Sequence, residues 1–132
     1  MKNPTRIPFL AARSVGVLLL LFSLMHFFGG YPAINEVIKT EGVSEEGART
    51  FREIWIFSSI TMALLGAWAL FISKPLKNAD KSAWQQGALI SMGLIFFGSI
   101  TQVFHFPNWG MLMFSFVGLI LLLPLLLSKK HY

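Results

Sequence analysis

Two histidines stand out in a chain with few polar side chains. His26 closes one long uncharged run and is followed by Phe27-Phe28-Gly29-Gly30-Tyr31-Pro32. His105 closes another and is followed by Phe106-Pro107-Asn108-Trp109. An imidazole can bind a metal, carry a proton or hydrogen-bond a ligand near neutral pH. Arg49, Arg52, Glu53, Trp55, Gln102, Tyr31, Asn108 and Trp109 fall at the same level along the expected spans. Polar groups at the edge of a hydrocarbon layer turn toward other helices or a watery cavity, because lipid cannot satisfy them. From these residues we expect a ligand-binding pocket built from His26, Arg52, Glu53, Trp55, Gln102, His105 and Trp109, with aromatic walls and a few polar contacts. Taken singly, each imidazole is better explained by hydrogen bonds to water or backbone at the interface.

Sharper chemistries fit the same residues less well. Paired His26 and His105 could hold a b-type haem, but both lie at helix ends. His26, His105 and Glu53 match a two-histidine, one-carboxylate metal set. Glu53, however, also closes a Thr50-Phe51-Arg52-Glu53 capping box and points about 100° away from the small face of its helix. A quinone or proton-relay site is conceivable with the same groups. There is no Ser-His-Asp set, phosphate loop or HExxH motif, so we assign no catalytic residues and no metal ligands, and the residues do not name a cofactor.

The elements that position these residues are apolar helices. The chain has 132 residues, 55% hydrophobic and 13% charged, where a soluble domain carries about 25% charged. Four uncharged stretches are each long enough to cross a hydrocarbon core of about 30 Å. We expect spans at about residues 9–29, 54–73, 84–106 and 109–127, joined in a single membrane domain with a connecting segment at 30–53. Gly29-Gly30-Tyr31-Pro32 should break the first helix. Ile34, Val37 and Ile38 suggest a short surface helix over 33–39. Ser44 and Thr50 compete as the next helix start. Ser73-Lys74-Pro75 should end that helix, Ser82-Ala83-Trp84-Gln85 should cap the third, and Asn108 the fourth. Pro124 should kink the last span.

The first three spans each carry a stripe of small or polar residues at helical spacing, and the fourth has Gly110 and Gly118 as small positions. The stripes are Gly16, Ser23, His26 and Gly30 in the first, and Ser59, Met62, Gly66, Ala69 and Ser73 in the second. In the third they are Gly87, Ser91, Gly98, Gln102 and His105. Such stripes let helices approach closely in lipid. The His-Phe followed by Pro at both 26 and 105 is consistent with two helical hairpins in a four-helix transmembrane bundle.

Charge sets the expected orientation. Lys2, Arg6, Arg13, Lys74, Lys77, Lys81, Lys129 and Lys130 fall on one side of the spans; Lys39, Arg49 and Arg52 fall on the other. Short basic segments stay in the cytoplasm, so both termini should be inside. A net charge of +5 placed this way speaks for anionic lipid headgroups and not for nucleic acid. With no cysteine, disulfides and thiolate sites are excluded. The first span reads as retained and not as a cleaved leader.

This layout resembles the DoxX-like group of small bacterial membrane proteins, and also looks like other uncharacterised four-span families whose first span ends in a His-Gly cluster. The shared features are four spans, a basic residue entering the first, a glycine-containing break after it, Glu53 heading the second, the Lys74-Pro75-Leu76 turn, and His105-Phe106 with Trp109 after the third. The Phe106-Pro107-Asn108 connection is shorter than that group often has. Compact size without an organellar signal makes a bacterial inner membrane the expected location, and the resemblance adds that some members of that group are linked to quinone or thiosulfate oxidation or to membrane redox assemblies. The expectation is therefore an all-α, four-helix transmembrane bundle, N-in/C-in. It would be a non-catalytic accessory subunit or a binder of a lipidic ligand. The alternative is a redox enzyme subunit with a quinone, haem or metal near the two histidines. Expected partners are membrane lipids, a lipidic ligand or quinone, and a larger membrane complex or a second copy of the chain.

Overall fold

A computed structural model of the protein describes residues 4–104 and 109–132. The regular elements are helical throughout, with no strand among the described residues. In chain order they are α1 (Arg6–Met25), a π-helical turn (His26–Gly30), α2 (Tyr31–Thr40), α3 (Glu45–Lys77), α4 (Lys81–Phe104), α5 (Trp109–Ser128) and a short 3₁₀ turn (Lys129–His131). Four continuous helical stretches are long and apolar enough to cross a membrane: Arg6–Thr40, Glu45–Lys77, Lys81–Phe104 and Trp109–His131. The all-α class therefore stands, with four helices long and apolar enough to cross a membrane. Large apolar side chains are exposed along all four, among them Leu21, Leu64, Phe71, Phe96, Val103 and Ile120. A protein in water rarely exposes so much; acyl chains would cover it.

The helix ends depart from the sequence reading in instructive ways. Gly29-Gly30-Tyr31-Pro32 does not break the helix. The chain passes through it as a π-helical turn, and the Tyr31 amide still donates to the Phe27 carbonyl. Pro32 then falls in the first turn of α2, where a missing N–H is tolerated. α3 likewise begins at Glu45, well before residue 54, because the Ser44 hydroxyl caps it by accepting from the Gly47 amide at 3.2 Å. Thr50, the rival cap, instead turns its hydroxyl back to the Glu46 carbonyl. At 33 residues α3 is roughly 50 Å long, more than the hydrocarbon core requires.

α3 also runs past Pro75 to Lys77. Its φ suits a helix, and only one intrahelical bond is lost. Asn78 and Asp80 donate back to the Pro75 carbonyl at 2.9 and 3.1 Å, closing the helix through Ala79 at φ 60°. Asp80, and not Ser82, caps α4: its carboxylate accepts from the Ala83 amide at 2.9 Å. A carboxylate at the positive end of a helix is a better acceptor than a hydroxyl. Ser82 is left to accept from Gln86. α2 forms as expected and buries Ile38, but Val37 is exposed and not part of that face. The expected turn at Phe106-Pro107-Asn108 and its Asn108 cap lie outside the described residues.

The residues group into two compact units, one of Met1–Gly16 with Trp68–Tyr132, the other Val17–Ala67. In the first, α4 lies along α5. Gly98 leaves room for the backbone of α5: a Cβ there would stand 2.6 Å from the Ser115 amide nitrogen and 2.8 Å from the Met111 carbonyl oxygen. Gly118 does the same for α4, at 2.7 Å from the Ser91 carbonyl oxygen. Ser91 is fully buried and bonds its own helix at Gly87. Ile72, Leu76, Leu121 and Leu125 complete this core.

The last turns of α3 and α5 have carbonyls with no partner in their own helix, which low-dielectric surroundings would penalise. Side chains meet that need. Thr5 donates to the Lys77 carbonyl at 2.7 Å, Tyr132 to Leu76 at 2.9 Å, and the Trp84 indole to Leu125 at 2.9 Å. Lys129 sits 5.9 Å above the Trp84 ring and Lys77 5.5 Å above that of Phe9. Burial pushes the Tyr132 phenol above its ordinary pKa, which keeps it a neutral donor.

Candidate functional site

In the Val17–Ala67 unit, the small and polar stripes of α1 and α3 meet. Ser23 and His26 are one turn apart on α1 and the π-turn; Ser59 lies one turn from Trp55 on α3. Ser23 and Ser59 are buried. The Ser23 hydroxyl donates to the Ser59 carbonyl at 2.7 Å. The His26 ring lies flat on the Trp55 indole, with centroids 3.9 Å apart and planes inclined by 11°. The indole N–H donates to the His26 carbonyl at 2.9 Å. Nδ1 of His26 meets the Ser59 hydroxyl at 2.8 Å, and that hydroxyl reaches the Trp55 carbonyl at 3.0 Å. The imidazole is therefore held by a ring face, a hydroxyl and its own backbone.

The local backbone makes this geometry available. A π-turn inserts one residue into the helical register and re-aims the side chains that follow. It places Gly30 against Trp55, where a Cβ would run into the indole ring. Glycine here gives the indole the space to stack on His26. Phe27, next in the chain to His26, stacks on Tyr31 at 6.3 Å between centroids.

Arg52 sits one turn before Trp55 on α3. Its Nε donates to the Asn35 side-chain oxygen at 2.7 Å, and Asn35 in turn donates to the Tyr31 carbonyl at 3.0 Å. Glu53 faces elsewhere. Its carboxylate accepts from Arg49 at 2.9 Å in an exposed pair. Such a pair contributes little to stability in water.

Of the residues expected to line one pocket, the structure brings His26 and Trp55 into direct contact and puts Arg52 on the same face of α3. Glu53 turns out toward Arg49. Gln102 on α4 and an exposed Trp109 at the start of α5 belong to the other unit. His105 lies outside the described residues. No three His, Asp or Glu side chains come together as metal ligands among the described residues. Sequence reasoning missed Ser59 and Ser23 as partners of the imidazole, having seen them only as small packing residues, and it missed Asn35 altogether. The signal for Ser23 was its three-residue spacing from His26; for Asn35 it was a lone amide on a helix of mostly apolar residues.

No protein-family model, curated protein or solved structure matches this chain.

Proposed function

We propose that this is a small, non-catalytic, multi-pass protein of a bacterial inner membrane that binds the head of a lipidic ligand, alone or as a subunit of a larger membrane assembly. The observation that carries the reading is the His26–Trp55 stack. An imidazole at the end of an apolar helix is immobilised on both Nδ1 and one ring face, while its other nitrogen has no partner among the described residues. Immobilising a polar ring beside exposed aromatics prepares a contact for an amphiphile, since its head can bond and its body can lie on apolar surface. The ligand-binding residues in this reading are His26, Trp55 and Arg52.

The orientation follows from charge: both termini cytoplasmic and the His26–Trp55 site at the outer surface. Because the chain has no cysteine, single cysteines report on it directly. A cysteine at Glu46 should react with an impermeant thiol reagent in intact cells, and one at Lys130 only after lysis. The reverse pattern refutes the orientation. For binding, lipid extracted from the purified wild type should contain one species near stoichiometric amount. His26→Ala should lose it; equal recovery from both proteins counts against the site.

A further inference from the structure

The hydrogen-bond pattern around His26 and Arg52 says what kind of head the site would accept. Ser59 has one hydroxyl proton. Directed to the Trp55 carbonyl at 3.0 Å, it leaves the 2.8 Å contact with His26 to be made by a proton on Nδ1. Nε2 then carries a lone pair and acts as a hydrogen-bond acceptor. Arg52 presents the opposite chemistry. Its Nε is engaged by a neutral amide, and both NH2 groups have no acceptor among the described residues. All six acids of the chain are at Glu36, Glu41, Glu45, Glu46, Glu53 and Asp80. The nearest in sequence, Glu53, is occupied by Arg49, and no carboxylate pairs with the half-buried Arg52 among the described residues.

Arg52, Trp55 and Ser59 fall within about 60° of arc on α3, and one helical turn separates the guanidinium from the level of the His26–Trp55 stack. An uncompensated guanidinium with a free fork favours an oxyanion, bonded by two parallel N–H groups. A lone pair on Nε2 favours an O–H donor.

We propose that the site takes an anionic phospholipid whose head bears a free hydroxyl. The phosphate is held by the NH2 groups of Arg52, and the head hydroxyl donates to Nε2 of His26. The inference rests on the lipid-binding reading above and narrows it to a charge and a donor.

The test uses the full chain in a neutral detergent, titrated by calorimetry with four probes. These are short-chain phosphatidylglycerol, phosphatidylcholine, dioctanoylglycerol and inorganic phosphate. Phosphatidylglycerol should bind at least about tenfold tighter than phosphatidylcholine or dioctanoylglycerol, as one charge-assisted contact would give. Arg52→Gln should bring it down to the dioctanoylglycerol level, and Arg52→Lys should restore part of the loss. His26→Phe, which keeps a ring on Trp55, should weaken dioctanoylglycerol and phosphatidylglycerol alike. Lys130→Gln controls for the basic segments and should change nothing. Circular dichroism of each variant confirms that the helices persist. Undiminished phosphatidylglycerol binding by folded Arg52→Gln, or an equal loss in Lys130→Gln, overturns the proposal. If dioctanoylglycerol binds as tightly as phosphatidylglycerol and both need His26, the oxyanion inference fails while lipid binding stands. If no lipid binds, or inorganic phosphate alone displaces phosphatidylglycerol at equal concentration, the lipid-binding reading fails with it.

Discussion

The α4–α5 contact and the His26–Trp55 site use the same two residue types to opposite ends. In both, glycine removes a side chain and serine donates to a carbonyl. Along α4 and α5, Gly98 and Gly118 bring backbone against backbone, and the hydroxyls of Ser91 and Ser115 end on the carbonyls of Gly87 and Ile95. Those serine donors are used within the helix pair. In the Val17–Ala67 unit, Gly30 makes room for an aromatic ring, and the serine chain ends on an imidazole with a nitrogen to spare. Small residues therefore do not mark a site by themselves. The proposed site differs in that its hydrogen-bond chain ends on a ring nitrogen and not on a carbonyl.

The largest effect should come from Gly98→Leu. Its side chain would have to displace the backbone of α5, which cannot swing aside, at a loss of at least about 2 kcal/mol. Unfolding in mixed detergent should show it. Gly30→Val meets first the Trp55 ring, a side chain that can move; a loss of about 1–2 kcal/mol should come with changed tryptophan fluorescence as the stack opens. If Gly30→Val is the more damaging of the two, the contrast drawn above is wrong.

Paired serine variants sharpen the same comparison. Ser59→Ala strips a half-buried ring nitrogen of its partner and should cost about 1 kcal/mol. Ser91→Ala removes a back-bond to a carbonyl that already belongs to the helix ladder, so it should cost under about 0.5 kcal/mol. Nitrogen NMR of the imidazole in wild type and Ser59→Ala reports the tautomer directly.

The smallest effect concerns pH. The phenol of Tyr132 has a folded pKa raised above its ordinary value near 10, because burial disfavours the phenolate. A raised pKa means that its stabilising contribution is complete below about pH 10 and fades as pH climbs toward the higher folded value. Wild type should lose stability over that range by more than Tyr132→Phe, measured by detergent unfolding at stepped pH.

Much of the helical plan was legible because hydrophobic length and helical spacing are local properties. Gly87, Ser91 and Gly98 could be placed on one buried face from their spacing, and that face is where α5 lies. Glu53 could be turned away from the Ser59–Gly66 face by the same arithmetic. The ends were less legible, since Asp80 and Ser82, or Ser44 and Thr50, carry similar signals and differ in which amide the backbone brings to them. The Gly29-Gly30 pair misled for a related reason: its residues tolerate a break but do not demand one.

The amino-acid sequence by itself determined that four stretches are helical and apolar enough for a membrane, and, in the first three, which stripe of small and polar residues is set for packing, because both depend only on residue type and the 100° step of a helix. The tertiary structure alone decided that a π-turn lays His26 on Trp55, that Ser59 takes Nδ1, and that Glu53 goes to Arg49 and leaves Arg52 without a counter-charge. Those are choices among several nearby partners of equal chemistry, and only the distances between packed side chains resolve them.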